Sequence, residues 1–540
     1  MVDPKETQKL GPKLSENTLN QATKGFKRFN ILENNSCQPN TSKRHSIVLD
    51  DEYDSSQLNL AAETKESKSV DVIKSYKADN KSVYRHVKSS KVRYQKNGEM
   101  RSNFVDLSFQ ARETIFDSEI HFGAKFYGFY VAIWICIGFF GLNVLCDYHL
   151  NHGSLFQSKI VHLMIKDIWK IALTDLIMYL SMYFSVMIQL LIKYNIISWK
   201  HTGFALQSIY EVLLLCYPFN FADKMKYPWI GQIFLMLHSC VMLMKVHSYA
   251  FFNGYLWEIK NELSFSTIFI KKRKLLEDDI KVALDNSIKF CQSEIDSQNF
   301  PNNISFKNFF TYSMFPVLVY QSEYPRNQRI RWGYLFSKIL GIFGVIFLMI
   351  AIAQYKLYPI VLHCLELQKS TSLGFRLKIY PFILIETIPP FLSIYLLTFY
   401  LIWELILNAI AELSRFADRE FYRYWWNSID WNEYARDWNV PVHKFLLRHV
   451  YHSSISAFKV NKHFATFFTF FLSSIIHEFA MYVIFKKIRF YLLLLQMSQL
   501  SLVQLSRTKW MKDKLILGNC IFWFGIVFGP SLMCTMYLIF

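Results

Sequence analysis

The chain sets one long polar stretch against a series of apolar runs. Residues 1–115 are rich in Ser, Asn, Lys, Asp and Glu and hold few large apolar side chains. That composition cannot bury enough surface to offset the entropy of ordering, so this stretch reads as a disordered N-terminal region. Beyond it the pattern changes. Runs close to the length of a membrane span, about 20 residues, cover 126–146, 171–192, 203–219, 229–246, 334–353, 380–403, 464–485, 490–505 and 515–540. Nine such runs predict an all-α polytopic membrane protein, with residues 116–540 as the membrane-embedded domain. The third run is short and carries Glu211. The sixth contains Pro389 and Pro390, which lack backbone donors and predict a break in the helix. After the fourth run, Ile270, Leu275, Leu276, Ile280, Val282, Leu284 and Ile288 keep a helical spacing. They predict an amphipathic surface helix over 270–290.

Charge adds an orientation. The formal net charge is +18, and basic clusters at 271–274, 326–331 and 507–514 flank apolar runs. A cytosolic N-terminus puts all three on the cytosolic side and the C-terminus in the lumen. Lys486, Lys487 and Arg489 then fall on the lumenal side, against the rule. In a soluble chain this charge would suggest nucleic acid. Here the lipid bilayer accounts for it, and no nucleic-acid partner is expected. The chain opens with no apolar segment, so no cleaved signal peptide is expected and the first run serves for targeting. Nine cysteines lie scattered without a CxxC pair. Neither a zinc site nor a disulfide framework is expected.

The candidate chemistry lies late in the chain. Phe421-Tyr-Arg-Tyr-Trp-Trp-Asn427 is followed by Trp438-Asn-Val-Pro-Val-His443, and that segment runs on to Tyr451. Then comes His477-Glu478, inside the seventh apolar run. Ionisable groups at membrane depth are costly and mark functional sites. A neutral imidazole can accept a proton, which suits His477 as a general base. Ser473 is four residues earlier, on the same helical face. Glu478 points roughly 100° away. The alternative for a lone span histidine is an interhelical hydrogen bond. Asn439 can donate an amide hydrogen bond to an oxyanion, or simply cap the chain before Pro441. Tyr422, Tyr424, Trp425 and Trp426 offer flat faces, and Arg415, Arg419, Arg423, Lys444 and Arg448 offer charge for phosphate. A solvated basic loop with interfacial aromatics is the alternative. Span carboxylates at Asp175, Glu211, Glu386 and Glu404 also fit a transport path, but they are spread over different runs without paired repeats.

These motifs, together with Tyr324-Pro-Arg-Asn-Gln-Arg-Ile-Arg-Trp332, resemble the sterol O-acyltransferases of the membrane-bound O-acyltransferase family, above all its fungal members. The resemblance runs from about residue 120 to the C-terminus. It implies helices around a central reaction chamber in the endoplasmic-reticulum membrane. There a long-chain acyl group would pass from acyl-CoA to the 3-hydroxyl of a membrane sterol. Acyl-CoA is then a co-substrate, and no cofactor or metal is implied. A homodimer or higher homo-oligomer is implied. By the same resemblance His477 and Asn439 are catalytic. Phe421, Tyr422, Trp425, Trp426, Asn427, Trp438, His443, Tyr451, Lys462 and Ser473 belong to the acyl-CoA site, with Glu478 in support. Tyr424 departs from the family pattern, which has Asp there, and Asp430 or Asp437 is a possible compensation. Two other readings remain: diacylglycerol as the acceptor, or a non-catalytic lipid-binding relative.

Overall fold

The computed structural model describes residues 93–94, 100–101, 107–118, 127–154, 158–272, 278–458, 460–511 and 514–540. Most of the stretch expected to be disordered, 1–115, lies outside the described residues, as do 273–277 of the predicted surface helix. Within the former, Arg93–Tyr94 and Met100–Arg101 pair as a short antiparallel ladder.

Helix α1 covers Tyr127–His152, α2 Lys159–Lys193, α3 Phe204–Lys224 and α4 Trp229–Lys272. Next come α5 at Asp278–Ser297, α6 at Phe306–Met314, α7 at Trp332–Ser370 and α8 at Leu373–Ser414. Three short helices follow: α9 at Trp431–Asp437, α10 at Val440–Phe445 and α11 at His452–Phe458. The chain ends with α12 at Lys462–Phe485, α13 at Tyr491–Ser506 and α14 at Leu515–Ile539. Among the described residues, six helices are long and apolar enough to cross a membrane: α2, α4, α7, α8, α12 and α14. The other three predicted runs are also helical, as α1, α3 and α13. Helix α13 has only 16 residues, short of the roughly 20 that a span needs.

Two expectations change. Helix α4 has 44 residues and extends roughly 66 Å, about twice the bilayer core of ~30 Å. It continues well past the predicted run at 229–246, because Phe252, Tyr255, Leu256 and Ile259 keep it buried. Of the predicted surface helix, 270–272 belong to α4 and 278–290 to α5. Packing along α4 is close: a Cβ on Gly254 would lie 2.0 Å from the Trp199 ring. The second change concerns α8, which runs unbroken through Pro381, Pro389 and Pro390. Packing against α14 holds it helical. Its irregularity is instead a π-helical segment at Tyr400–Ile406, and α7 has another at Ala353–Leu357.

Helix α4 packs against α2, α3, α5 and α12, α12 against α13, and α14 against α8 and the end of α7. One apolar core joins α2, α3 and α4 to the aromatic loop after α8. That loop is held from both sides by backbone pairing. Arg112 N–H donates to Ala417 O at 3.0 Å, and Arg419 N–H donates to Arg112 O at 3.1 Å. On the other flank Ala417 N–H donates to Pro325 O at 3.1 Å, and Asn327 N–H to Arg415 O at 2.8 Å. Residues 107–118 thus form a strap over the loop, starting inside the stretch read from sequence as tail.

Candidate active site

The two aromatic motifs are joined through their backbones. Arg423 N–H donates to Asp437 O at 2.8 Å, and Val440 N–H donates to Phe421 O at 3.1 Å. Asp430 caps α9 by accepting from Asn432 N and Glu433 N at 2.9 and 2.8 Å. Asn439 caps α10 by accepting from Val442 N at 3.2 Å, which occupies its amide oxygen and leaves its NH2 to donate. Phe421, Tyr422 and Trp425 are buried. Trp425 lies 5.0 Å from Phe399 and 4.8 Å from Trp438, and Phe399 lies 5.0 Å from Tyr422. These rings form the inner layer of a wall. Arg423, Tyr424 and Asn427 are the exposed members of the motif, and Trp426 is half-buried. The indole N–H of Trp425 is buried without a hydrogen-bond partner, a group that a ligand oxygen could satisfy.

Helix α14 completes the wall with residues that sequence reasoning missed. Asn519 Nδ2 donates to the carbonyls of Trp426 and Ser428 at 3.1 and 2.9 Å, and Trp523 Nε1 donates to Trp426 O at 3.1 Å. Their i, i+4 spacing in an otherwise apolar span was the available signal.

Beneath the motif lies a buried charge network. The Tyr422 hydroxyl donates to Glu404 Oε2 at 2.7 Å, and Lys338 Nζ donates to Glu404 Oε1 at 2.6 Å. Thr114 from the strap reaches Glu404 at 3.4 Å, and Lys338 also contacts Asp117 at 3.2 Å. Eight residues on along α8, Glu412 accepts from Arg331 at 3.1 Å and from Arg419. Two of the other span carboxylates are paired as well, Asp175 with His238 at 2.5 Å and Glu211 with His247 at 3.0 Å. Lys486, on the side where charge ran against the rule, pairs with Asp223 at 2.8 Å.

Helix α12 carries His477. At 100° per residue, Lys462, His463, Thr466, Thr469, Ser473, Ser474 and His477 share an arc of roughly 140°, and these are all of its polar residues up to His477. Phe464, Phe468, Phe471 and Ile475 occupy the opposite side. Hydroxyls and imidazole are costly against lipid, so the polar arc addresses an interior or watered space. His477 is exposed, and its Nδ1 lies 2.8 Å from the Ser473 carbonyl oxygen. A carbonyl only accepts, so Nδ1 carries the proton and Nε2 keeps its lone pair. Nε2 makes no hydrogen bond among the described residues.

Glu478 faces elsewhere and is buried. Its carboxylate accepts from Phe490 N at 2.8 Å, Leu493 N at 3.2 Å, Arg489 N at 3.4 Å and the Tyr537 hydroxyl at 2.6 Å. It is a long-range cap for α13 and does not touch His477. The segment between the motifs and α12 contains a π-helical turn, Leu446–Tyr451, which packs against α12 and ends in the buried Tyr451. His449 is buried there, with Nε2 2.8 Å from the Ser248 hydroxyl. Burial holds the His443 pKa down at about 4, with Arg436, Arg423 and Lys444 adding to the effect. That ring is neutral near pH 7. Tyr424 is 53% exposed and meets Trp426 edge-on at 5.7 Å. Asp430 is committed to its cap, and Asp437 lies 3.7 Å from Arg423. Asn439 and His477 are not hydrogen-bonded to each other.

Residues 126–539 match the membrane-bound O-acyltransferase family. A sterol O-acyltransferase 2 from Saccharomyces uvarum is 50% identical over 430 residues, 77% of this chain and 66% of its own length. The chain thus covers just under two thirds of that relative. A sterol O-acyltransferase 2 from Candida albicans is 45% identical over 484 residues, 81% of this chain and 79% of its own. A diacylglycerol O-acyltransferase 1 from Dictyostelium discoideum is 32% identical over 306 residues, 56% of this chain and 44% of its own.

Proposed function

On the premise that the chain belongs to the membrane-bound O-acyltransferase family, we propose that it is an acyl-CoA:sterol O-acyltransferase. The observation that carries the mechanism is the free Nε2 of His477 on the polar face of α12. The sterol hydroxyl oxygen attacks the thioester carbonyl while Nε2 takes its proton. The new C–O bond forms, the C–S bond breaks, and the imidazolium returns the proton to the departing thiolate. The Asn439 NH2, left over from the cap of α10, donates to the carbonyl oxygen as charge builds on it. Transfer is direct and passes through no acyl-enzyme.

The polar arc suggests the route of the donor. From Lys462 to His477 the helix rises roughly 22 Å, with hydroxyls and imidazole along one side for the polar arm of acyl-CoA. Lys462 and Ser473 lie on that helix, and the turn that ends in Tyr451 packs against it. The wall built on Phe421, Tyr422, Trp425 and Trp438 backs the site, with Trp426 and His443 half-buried and Asn427 exposed. The apolar acceptor arrives from the bilayer. We place the protein in the endoplasmic-reticulum membrane with its N-terminus cytosolic, as a homo-oligomer. Sterol is preferred over diacylglycerol as acceptor because the sterol-named relatives share more of the chain at higher identity.

The test is esterification by microsomes from a host without its own sterol acyltransferases. Labelled oleoyl-CoA is supplied with sterol or with diacylglycerol. Steryl ester from the wild type, reduced by about 10²- to 10⁴-fold in His477→Ala at matched expression, is expected. Triacylglycerol as the product would transfer the protein to the diacylglycerol branch. Equal activity in His477→Ala would remove the base.

A further inference from the structure

Two cavities meet at Arg331. One opens at the surface and is lined by Arg329, Ile330, Arg331, Trp332 and Arg415, with a volume of about 780 Å³. The second, also about 780 Å³, runs between α1 and α7. Arg331 and Lys338 stand at its polar end, and Trp134, Ile137, Phe347 and Leu348 line its length. From Arg331 to Leu348 the helix rises roughly 25 Å, more than the ~15 Å of hydrocarbon in one leaflet. Gly138 and Gly344 border this groove, and a Cβ added to either would meet nothing within 4 Å. The groove is open space between two helices.

The charges divide into satisfied and unsatisfied. Glu412 engages Arg331 and Arg419, and Glu113 lies 3.9 Å from Arg331. Lys338 is held by Asp117 and Glu404. Arg329 and Arg415 have no carboxylate partner among the described residues, and the Arg415 guanidinium donates to the Gln328 carbonyl at 3.2 Å. The backbone fixes their approach, since Asn327 N–H donates to Arg415 O at 2.8 Å. Trp332 is 67% exposed at the start of a span, the usual place of an interfacial anchor.

We propose that this paired cradle and groove bind an anionic phospholipid, its phosphate on Arg329, Arg331 and Arg415 and an acyl chain between α1 and α7. A neutral lipid fills the groove but leaves two arginines unpaired. A free phosphate pairs the arginines but leaves the groove open. A phospholipid with an anionic head satisfies both. The proposal does not depend on the acyltransferase reading.

The test measures binding of fluorescent phosphatidic acid to the full chain in detergent, with phosphatidylcholine and coenzyme A as competitors. Saturable binding is expected that neither competitor displaces. In Arg329→Ala/Arg415→Ala it should weaken by about tenfold or more, and in Arg329→Lys/Arg415→Lys much less. Gly344→Leu, which fills the groove without touching the arginines, should weaken it comparably. Displacement by phosphatidylcholine would overturn the charge argument. Displacement by coenzyme A would assign the arginines to the phosphates of the co-substrate and overturn the lipid assignment. Wild-type affinity in Gly344→Leu would overturn the groove. If the double alanine variant does not fold, the competition on wild type and the Gly344→Leu result still decide the question.

Discussion

Replacing Glu478 separates its role from that of its neighbour His477. The side chain is 5% exposed and anchors the α12–α13 turn. That turn carries two non-glycine residues in the left-handed region, Lys486 at φ 54 and Phe490 at φ 60, a conformation that must be held by its surroundings. Phe490 and Leu493 are the N-cap and third residue of α13, and no side chain of the helix's own caps it. The Glu478 carboxylate supplies that cap from another helix and ties in Tyr537 of α14. Glu478→Ala leaves three well-placed donors unpaired, each costing about 1 kcal/mol or more, so a loss of roughly 3 kcal/mol is expected. Glu478→Gln keeps the shape and one good acceptor and should lose roughly 1 kcal/mol. The assay is thermal unfolding of purified protein, with ester synthesis measured at a temperature where each variant is folded. A graded fall in melting temperature with near-normal turnover per folded molecule is expected. If Glu478→Gln melts like the wild type but esterifies no better than His477→Ala, the capping argument is wrong and Glu478 takes part in the chemistry.

Lys338→Met should cost roughly 3–5 kcal/mol by stranding Glu404 and Asp117, and adding Glu404→Leu should restore most of it. A double-mutant cycle on thermal stability checks this. His443 has a folded pKa of about 4, against about 6.5 unfolded. Between those values the unfolded chain binds the proton and the folded one does not. Stability is therefore full above pH 6.5 and falls by up to about 3 kcal/mol as pH drops toward 4. His443→Gln should flatten that slope in unfolding measured across pH. Tyr424→Asp should be tolerated, because the exposed phenol meets only the edge of Trp426. A clear loss of ester synthesis at normal expression would show a site rebuilt around Tyr.

Much of the helical framework was legible in the residues. All nine apolar runs are helical, and the depth and face of His477 follow from its position in a 24-residue helix. The aromatic motifs were recognisable, but not how they sit. Phe421, Tyr422 and Trp425 lie inside the wall, Trp426 is half-buried, and Arg423, Tyr424 and Asn427 are exposed. Pro389 and Pro390 pointed to a break that does not occur, because local propensity carried no account of α14 packing along α8. The polar composition from residue 258 concealed the continuation of α4, whose residues 252–257 are buried on every side by contacts that the sequence does not show. Asn519 and Trp523 escaped notice because their partner, the Trp426 carbonyl, lies more than 90 residues away.

Sequence alone determined the quantities that repeat along a helix: length, apolar content and the arc on which polar side chains fall. These depend on 1.5 Å and 100° per residue and need no partner. From them came the apolar runs and the placing of Ser473 on the helical face of His477. Only the tertiary structure decided which groups meet. Glu404 with Lys338 and Tyr422, Glu478 with Phe490 and Tyr537, and the strap at Arg112 on Ala417 are set by packing between helices. The cost of an unpaired polar group in a dry interior selects those pairings, and it acts on distance in space, to which the order of residues is blind.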